Sequence, residues 1–582
     1  MKYPTLPVRE SSRQFVDVFG GYNHNLRIGT NEFFDMKNMT SDQYPVLSPR
    51  KARGIYAEPE QPQGMITKDA LCYVDGSVFV MNKYRVDMGL STDEDKCPKQ
   101  LISMGAYVII MPDKMYINTQ DISDWGNIDA EYESAGNVSF QMCTLSGEAY
   151  TDVVTEEPKA PKNLDLWIDT STTPHTLKQW SESSAMWVAI ATTYVKISSP
   201  GIGTEFQQYD GVKISGIVSQ KLQDLNATTV IWERGEDYII VTGILDTITT
   251  QTAAEGKIHV ERKMPVVDFV TESENRLWGC RYGPAIDGQV VNEIYSCKLG
   301  DFKNWNCFMG LSTDSYAVSC GTDGQFTGAI THLGYPLFFK ENCVHKVYGN
   351  YPANFQIQTT ACRGVQKGCD KSLAIVNETL YYKGRNGLCA YDGSLPVEVS
   401  SVLGEKRYSQ AVAGANGNKY YISMAGDDGE HHLFVYDTAK NLWHKEDDLS
   451  ALCFCSCDGD MYCIDLADKT IKNLTTPGKS AEVVPWMVET GELGLSSPDM
   501  KYVSRMNIRM SLEKGAEAAF YIQYDLSGEW EHLFTAKWTS LRSFSVPIRP
   551  RRCDHMRLRI EGKGMAKIYS LTKTIEQGSE LS

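Results

Sequence analysis

Short apolar strands separated by tight turns of Gly, Asp or Asn organise most of this chain. Residues 70–86 predict a hairpin that turns at Asp75-Gly76, and residues 100–118 predict another that turns at Pro112-Asp113. Similar units recur between residues 274 and 466, with about 40 to 50 residues for every four strands. Because one twisted four-stranded sheet cannot bury both faces alone, repeated sheets pack radially. The pattern therefore predicts an all-β chain built on a β-propeller of about five to seven blades.

Two stretches depart from this rhythm. Pro-, Thr- and Ser-rich sequence followed by Trp-anchored strands predicts a β-domain inserted at a loop, and longer alternating strands near the end of the chain predict a C-terminal β-sandwich. The opening residues have few periodic segments and predict an extended arm packed on another surface. The predicted organisation is an arm (1–60), the first part of the propeller (61–123), the inserted β-rich domain (124–264), the remaining blades (265–479) and the sandwich (480–582).

The net charge of the chain argues against one class of function, nucleic-acid binding. The chain has 582 residues, a net charge of -16 and a pI near 5.2. Proteins that grip nucleic acid neutralise its phosphates with Lys and Arg, so this acidity argues against such a role. The opening residues lack the apolar core of a secretion signal, and no stretch approaches the roughly 20 apolar residues of a membrane span. We therefore expect a protein made in the cytoplasm, without a membrane span.

The cysteines predict packing rather than chemistry. All 16 are scattered through strand-like segments of a chain too large to need disulfides, so we expect reduced, buried thiols. The densest group is Cys453, Cys455 and Cys457. Their period of two places them on one face of a strand, whereas a tetrahedral zinc site needs a turn between its ligands. Core packing is the favoured interpretation, and the sequence predicts no metal site and no cofactor.

Motifs with a known catalytic mechanism are missing. The sequence contains no His-Glu-x-x-His zinc motif, no Gly-x-Ser-x-Gly elbow and no Gly-x-Gly-x-x-Gly loop after a strand. The segment Pro477-Gly478-Lys479-Ser480 copies the end of a phosphate-binding loop, but Asn473 stands where the first Gly is needed. The paired carboxylates of a glycosidase cannot be located from sequence alone. We predict no catalytic residues and no enzymatic activity.

Acidic turns and a histidine pair offer two weaker candidates. The turns at 427–430 (Asp-Asp-Gly-Glu) and 458–460 (Asp-Gly-Asp) could bind calcium through clustered carboxylates. Hairpins select Asp-Gly for its positive φ in any case, so turn formation is the favoured interpretation. His431 and His432 are adjacent and face opposite sides of a strand, which makes them poor chelators of one ion. We expect both on the surface.

A dense group of arginines lies near the end of the chain. Arginine pairs well with the carboxylates of a neighbouring subunit, and it also serves on a solvated strand face. Both interpretations, a possible subunit interface and a solvated strand, remain open. The residues are Arg549, Arg551 and Arg552, with Arg557 and Arg559 on the following strand.

The layout of the whole chain resembles the propeller family of phage tail nozzle proteins, also described as packaged-DNA stabilisation proteins. Residues 19–54 resemble the opening of that family, and residues 556–580 resemble its closing strands. Residues 166–190 resemble a strand pair common in phage tail and fibre proteins, and residues 208–217 are similar to a tail-accessory domain. Within the opening segment the likeness is carried by Asn38, Pro45, Leu47 and Arg50.

This resemblance implies a structural protein of the virion tail, assembled in the cytoplasm of a bacterial host. Identical subunits would form a ring, usually a hexamer, below the portal and adaptor, and the ring would extend and seal the DNA channel. The implied partners are copies of the chain itself, the portal and adaptor proteins, and tail fibre proteins. Genomic DNA would pass without specific binding, because an acidic wall repels phosphates.

Residues 124–264 make the chain longer than the commoner nozzle proteins and leave other roles open. The inserted segment is suited to contact a fibre or a host surface. The alternative function is therefore a tail fibre adaptor, or a tail protein that binds a receptor or glycan. A propeller glycoside hydrolase acting on host polysaccharide is the third candidate.

Overall fold

A computed structural model describes residues 11–245, 248–284, 288–478, 483–495 and 500–577. Strands dominate this part of the chain, and the helical segments within it are short 3-10 turns. None of the helices found there is long and apolar enough to cross a membrane. The 3-10 turns are Glu94–Lys96, Gln220–Leu225, Pro352–Asn354, Asp370–Ser372 and Ser401–Leu403.

Seven four-stranded antiparallel sheets recur along the described chain, and we number them as blades in chain order. Blade 1 comprises Pro62–Lys68, Ala70–Asp75, Val78–Met81 and Tyr84–Asp87, and blade 2 comprises Gln100–Met104, Tyr107–Met111, Met115–Asn118 and Trp125–Asn127. Blade 3 comprises Phe269–Ser273, Arg276–Pro284, Val290–Ser296 and Tyr316–Ser319, and blade 4 comprises Gly328–His332, Tyr335–Lys340, Cys343–Tyr348 and Gln356–Ala361. Blade 5 comprises Ala374–Val376, Thr379–Gly384, Gly387–Tyr391 and Val397–Glu398, and blade 6 comprises Tyr408–Asn416, Lys419–Gly426, His431–Asp437 and Leu442–Lys445. Blade 7 takes Ala451–Cys457, Asp460–Asp465 and Ile471–Asn473 from one region and its last strand, Gly54–Ala57, from the arm.

The blades form where the sequence pattern places them. The two early hairpins pair as expected, and Gly76 supplies the positive φ (60°) that the first turn needs. The second strands of the blades are buried on both faces, as the apolar run in Tyr335–Lys340 illustrates. The described residues form two compact units: those within 1–99, 339–344 and 360–582 make the first, and those within 100–338 and 345–359 make the second.

Each unit shows radial packing by itself. In the first unit the first strands of blades 5, 6, 7 and 1 contact one another in that order, and in the second unit the same holds for blades 2, 3 and 4. Successive meander sheets that meet along their first strands are the arrangement of propeller blades. The predicted fold class is therefore confirmed: an all-β chain with a β-propeller, an inserted β-domain and a C-terminal β-sandwich.

The inserted domain lies in the second unit, between blades 2 and 3, and has its own core. Phe140, Ile197, Ile239 and Val241 are fully buried in that core. Its large sheet has the order Ala130–Glu133, His259–Arg262, Gly211–Ser215, Thr228–Arg234, Tyr238–Thr242, Tyr194–Ser198, Val138–Cys143 and Thr249–Gln251. A smaller sheet comprises Val153–Val154, Leu166–Asp169, Thr176–Ser181 and Met186–Ala189.

The sandwich lies in the first unit, and strands of the arm complete both of its sheets. Long strands alternate buried and exposed positions, so that each sheet has one apolar face, as the sequence predicted. One sheet has the order Ser11–Val16, Ala566–Gln577, Lys501–Leu512 and Arg542–Val546. The other has the order Phe33–Lys37, Pro485–Thr490, Met556–Lys563, Glu517–Tyr524 and Glu531–Ala536.

Residues 11–57 of the arm thus take part in sheets of the first unit. A short pair, Met39–Thr40 with Ser48–Pro49, joins the arm's sandwich strands to its blade 7 strand. Two of the residues that carry the family likeness contact each other here, because the Arg50 Nε donates to the Asn38 Oδ1 at 2.8 Å. Asn38 in turn donates from Nδ2 to the carbonyl of Pro485. The arm is therefore held to the sandwich by side chains as well as by strand pairing.

A buried amine lies on the apolar face of the first sandwich sheet. Lys573 is fully buried beside Met506, and its Nζ has no hydrogen-bond partner among the described residues. Burial lowers the pKa of Lys573 from 10.5 to about 8. That lowering corresponds to about 3 kcal/mol at pH values where the amine stays charged.

We expect Lys573→Met to stabilise the sandwich by about 3 kcal/mol near pH 6.5, because methionine fills the site without a charge. The unfolded amine titrates near 10.5 and the folded amine near 8, so wild-type folding releases a proton between these values and its stability rises with pH there. The advantage of the variant should therefore shrink between pH 8 and 10.5. Paired thermal melts at pH 6.5 and 9.5 test this, with the exposed Lys563→Met as control. If Lys573→Met were more stable than wild type by the same amount at both pH values, a buried charged amine at Lys573 would be contradicted.

Candidate functional site

The inserted domain carries an open pocket on the surface of its large sheet. Its volume is about 420 Å³, within the range of about 300–1,000 Å³ that small-molecule sites occupy. The turn after Val138–Cys143, the loop before Gly211–Ser215 and the strand Thr228–Arg234 contribute to it. The residues that line the pocket are Thr144, Leu145, Ser146, Gln208, Tyr209, Trp232 and Glu233.

Trp232 forms one aromatic wall of the pocket. It stands at a β-bulge, where the pairing register shifts between Ile231 and Glu233, and bulges commonly re-aim a side chain beside a site. The indole Nε1 donates to the Thr242 Oγ1 at 2.9 Å, and the Tyr194 ring packs edge-on at 5.9 Å. The half-buried indole is therefore fixed in position while part of its surface remains open.

Tyr209 forms the second wall, in a backbone conformation that bulky residues rarely adopt. Its φ is +69°, a strained value for a residue with a Cβ. Its N–H donates to the carbonyl of Ile231 at 2.6 Å, and its carbonyl accepts from the Lys298 Nζ at 3.4 Å. The ring is 42% exposed and lies 6.2 Å from Trp232 at 81°. The two rings therefore stand as perpendicular walls.

Polar groups surround these rings. The Gln208 Nε2 donates to the carbonyl of Trp232 at 2.9 Å and to the Glu233 Oε2 at 3.3 Å. The hydroxyls of Thr144 and Ser146 lie 2.8 Å apart on the opposite turn. An amide, a carboxylate and two hydroxyls provide both donors and acceptors. The arrangement suits a small polar molecule that also has an apolar face.

Sequence reasoning missed this pocket. The segment 208–217 was singled out only for its resemblance to tail-accessory domains, although it contains Gln208 and Tyr209. The sequence signal for the pocket is an aromatic residue, Tyr209, directly before the turn-forming pair Asp210-Gly211. The bulge at Trp232 has no signal in the sequence, because a bulge depends on how two strands pair.

A second aromatic surface lies on the smaller sheet of the inserted domain. Trp167, Trp180 and Trp187 cluster on one of its faces, with ring centroids 5.3 and 5.4 Å from Trp187. Lys178 lies over the Trp167 ring and forms an ion pair with Asp169 at 2.7 Å. The opposite face contributes to the buried core. The three half-buried indoles form an aromatic cluster on this face, with their planes tilted by 58° and 69° to that of Trp187.

The five predicted arginines fall into two groups. Arg557 and Arg559 lie on a sandwich strand and form ion pairs with Glu489 at 3.2 and 2.7 Å, and Arg557 also pairs with Glu492 at 3.1 Å. These two guanidinium groups are therefore largely neutralised within the chain.

The other three arginines lie in the loop after Arg542–Val546. Arg549, Arg551 and Arg552 are exposed there, and Arg551 lies over the Tyr524 ring at 5.4 Å. We call residues 549–552 the basic loop. Its three arginine side chains are exposed to solvent, and Arg552 also makes a contact within the chain.

The cysteine group packs as expected. Cys453, Cys455 and Cys457 lie on the first strand of blade 7 and contact a buried cluster with Leu71 and Val80. Burial raises the pKa of Cys453 to about 12, which keeps the thiol protonated and unreactive at neutral pH. In the part of the chain that the structure describes, no three His, Cys, Asp or Glu side chains are grouped to hold a metal ion.

The acidic turns and the histidines take local roles. Asp428 accepts from the Glu430 N–H and pairs with Lys406 at 2.6 Å, while Asp460 accepts from the hydroxyls of Thr475 and Thr476. Burial lowers the pKa of His432 to about 4, so the ring is neutral at pH 7. The expected surface position of the histidine pair is wrong, because both side chains are half-buried, and His432 packs against the Tyr408 and Phe434 rings. Lys479 and Ser480 of the phosphate-loop near match lie outside the described residues.

Comparison with known proteins adds little to these observations. No protein-family model matches the sequence, and no curated protein is similar to it. Among solved structures, BamB from Moraxella catarrhalis aligns over 75% of this chain and 99% of its own, at 8% identity and a TM-score of 0.28. The phage phi92 endosialidase aligns over 81% and 70%, at 9% identity and a TM-score of 0.22. An exo-β-1,3-galactanase from Phanerochaete chrysosporium aligns over 52% and 94%, at 6% identity and a TM-score of 0.21. At such low scores none of these similarities bears on function, and the propeller assignment rests on the sheets themselves.

Proposed function

We propose that this chain is a structural subunit of a bacteriophage tail, which forms a nozzle-type ring below the portal and adaptor and extends the DNA channel. The observation that carries the proposal is the basic loop on a chain of net charge -16. Arg549, Arg551 and Arg552 are exposed on this loop, and Arg557 and Arg559 pair with Glu489 on a neighbouring strand. An acidic surface on a second copy complements such a loop.

Contact between a basic loop on one copy and an acidic surface elsewhere on the next copy is heterologous. Interfaces of this type repeat head to tail and generate rings when the rotation closes. The likeness of the arm to phage nozzle proteins supports a closed ring, for which we expect six copies. The net acidity suits a channel wall past which DNA slides, since like charges repel the phosphates.

Sedimentation velocity of the purified chain tests the ring. We expect the wild-type protein to sediment as a defined multiple of 65.2 kDa. Arg549→Glu/Arg551→Glu/Arg552→Glu should shift it to the monomer, because each interface loses its basic partner and gains repulsion. Raising the salt concentration should weaken wild-type association in the same direction.

The control for this experiment carries the same change in net charge on exposed lysines of the inserted domain, as Lys159→Glu/Lys162→Glu/Lys213→Glu. It should keep the wild-type mass. A wild-type monomer at every concentration, or a triple arginine variant that still assembles, would overturn the proposed interface.

A second role is favoured by a separate observation, the pocket between Tyr209 and Trp232. We propose that the inserted domain gives the tail protein a receptor- or glycan-binding function. This role does not require the ring, and the ring does not require this role.

A further inference from the structure

We propose that the pocket between Tyr209 and Trp232 binds a neutral saccharide unit. The inference deepens the second proposed role and rests on it, but it is independent of ring assembly. Neither the fold nor the sequence resemblance assigns a neutral sugar as the ligand. Five properties of the pocket carry it: its shape, its aromatic walls, its polar rim, its charge and the fixed position of its walls.

The shape of the site suits a short, compact ligand. A volume of about 420 Å³ accommodates a small polar molecule but not a folded partner. The pocket is open to solvent, so it can hold a terminal unit while the rest of a longer glycan chain stays outside. A site of this type recognises the end or a branch of a polysaccharide.

The aromatic walls match the two sides of a pyranose ring. A sugar ring has an apolar face of C–H groups and a perimeter of hydroxyls. The exposed Tyr209 ring and the half-buried Trp232 indole stand at 81°, so one can stack on the apolar face while the other contacts the edge. Aromatic side chains provide large contact area at low conformational cost.

The polar rim matches the hydroxyls. The Gln208 amide oxygen accepts no hydrogen bond from the residues that the structure describes, and Glu233 keeps lone pairs beyond the bonds it already accepts from Gln208 and Arg234. Thr144 and Ser146 add hydroxyls that both donate and accept. Adjacent sugar hydroxyls need such mixed partners, because each hydroxyl is itself a donor and an acceptor.

Charge selects against anionic ligands. The residues described as lining the pocket include the carboxylate of Glu233 and no Lys or Arg. A phosphate or an acidic sugar would meet this carboxylate, which is unfavourable in a partly desolvated site. The Lys298 ammonium beside the Tyr209 ring is already engaged there, because it lies 5.6 Å from the ring centroid and donates to the Tyr209 carbonyl. A neutral hexose or N-acetylhexosamine avoids that repulsion.

The walls are also fixed in place before a ligand arrives. Two hydrogen bonds hold the backbone of Tyr209 at its positive φ, and the bond to Thr242 together with the Tyr194 ring holds Trp232. Residues held in sparsely populated conformations cluster at binding sites. Fixed side chains lose little entropy on binding, which raises affinity.

Ligand-observed NMR on the full chain tests the proposal with glucose, galactose, mannose and N-acetylglucosamine as probes, at concentrations up to roughly 50 mM, which detects even weak millimolar binding. We expect at least one of these sugars to bind. Trp232→Ala should weaken binding by at least tenfold, and Gln208→Ala, at an exposed position that leaves the fold intact, should weaken it severalfold. Thermal melts of each variant show whether the protein remains folded.

The control is Trp187→Ala, which removes an indole from the aromatic cluster on the smaller sheet. It should leave sugar binding unchanged. The proposal is overturned if none of the four sugars binds, if Trp187→Ala abolishes binding while Gln208→Ala does not change it, or if sialic acid or AMP binds in preference to the neutral sugars. Sedimentation of the same variants should remain that of wild type, which separates this proposal from the ring.

Discussion

Replacing Arg53 with methionine is expected to destabilise the attachment of the arm to blade 6 and blade 7 by about 3–5 kcal/mol. The Arg53 guanidinium lies 2.8 Å from the Glu446 Oε2 and 2.7 Å from the Asp447 Oδ2, in a site where these side chains are about nine-tenths buried. The remaining contact at Asp447, from Arg50 at 3.0 Å, compensates only part of the charge. In the variant, the buried carboxylates of Glu446 and Asp447 would share the single guanidinium of Arg50.

Hydrogen exchange gives the readout closest to the change. Amides of Gly54–Ala57, the arm strand of blade 7, should exchange faster in the variant by a factor on the order of 100 to 1,000. Arg85→Met is the matched control, because Arg85 is 55% exposed in its ion pair with Asp75 and surface pairs contribute about 0–1 kcal/mol. If Arg53→Met and Arg85→Met accelerated exchange equally, burial of the Arg53 ion pairs would not explain the loss of stability.

The effect of Arg53→Met should also depend on pH. Burial alone would raise the pKa of Asp447, but Arg53 and Arg50 outweigh it, so the pKa is lowered. A lowered folded pKa contributes stability above the unfolded value near 4, and this contribution is lost as the pH falls through the folded pKa. The difference between variant and wild type should therefore be complete at pH 7 and smaller below about pH 4.

Replacing Phe140 with alanine is expected to cost about 3–5 kcal/mol and to act within the inserted domain. Phe140 is fully buried, pairs with Ile197 across the large sheet and packs in a cluster whose members all come from residues 138–260. Removing the ring leaves a cavity that a sheet core fills poorly. Exchange should accelerate in Val138–Cys143 and Tyr194–Ser198 and remain unchanged in blade 3.

Val188→Ala is the control for this variant, because Val188 belongs to the same domain but is 48% exposed. It should change stability by less than about 0.5 kcal/mol. Loss of protection in blade 3 to the same extent as in the inserted domain would show that the two share one cooperative unit. That result would contradict an independently packed core.

The sequence was most informative where structure is local. Asp75-Gly76 predicts its hairpin because a two-residue turn needs positive φ, and the alternating strands of the sandwich show their buried face directly. The number of residues per blade then follows from counting the predicted hairpins along the chain. This is why the fold class and the range of blade numbers could be predicted.

Pairings between distant segments could not be predicted. Nothing in Ser11–Val16 indicates that it pairs with Ala566–Gln577, and nothing in Gly54–Ala57 indicates that it completes blade 7. The candidate site shows the same limit. The paired state of Arg557 depends on Glu489, a residue on another strand, and the pocket depends on a bulge at Trp232 and a positive φ at Tyr209. Side-chain partners across a sheet follow from register, which a single sequence does not specify.

The proposed ring is the central claim, and electron microscopy of the purified full-length chain tests it most directly. The account predicts class averages that show closed rings of one size, with rotational symmetry and a central opening. Isolated asymmetric particles of a single 65.2 kDa chain at every concentration would contradict it.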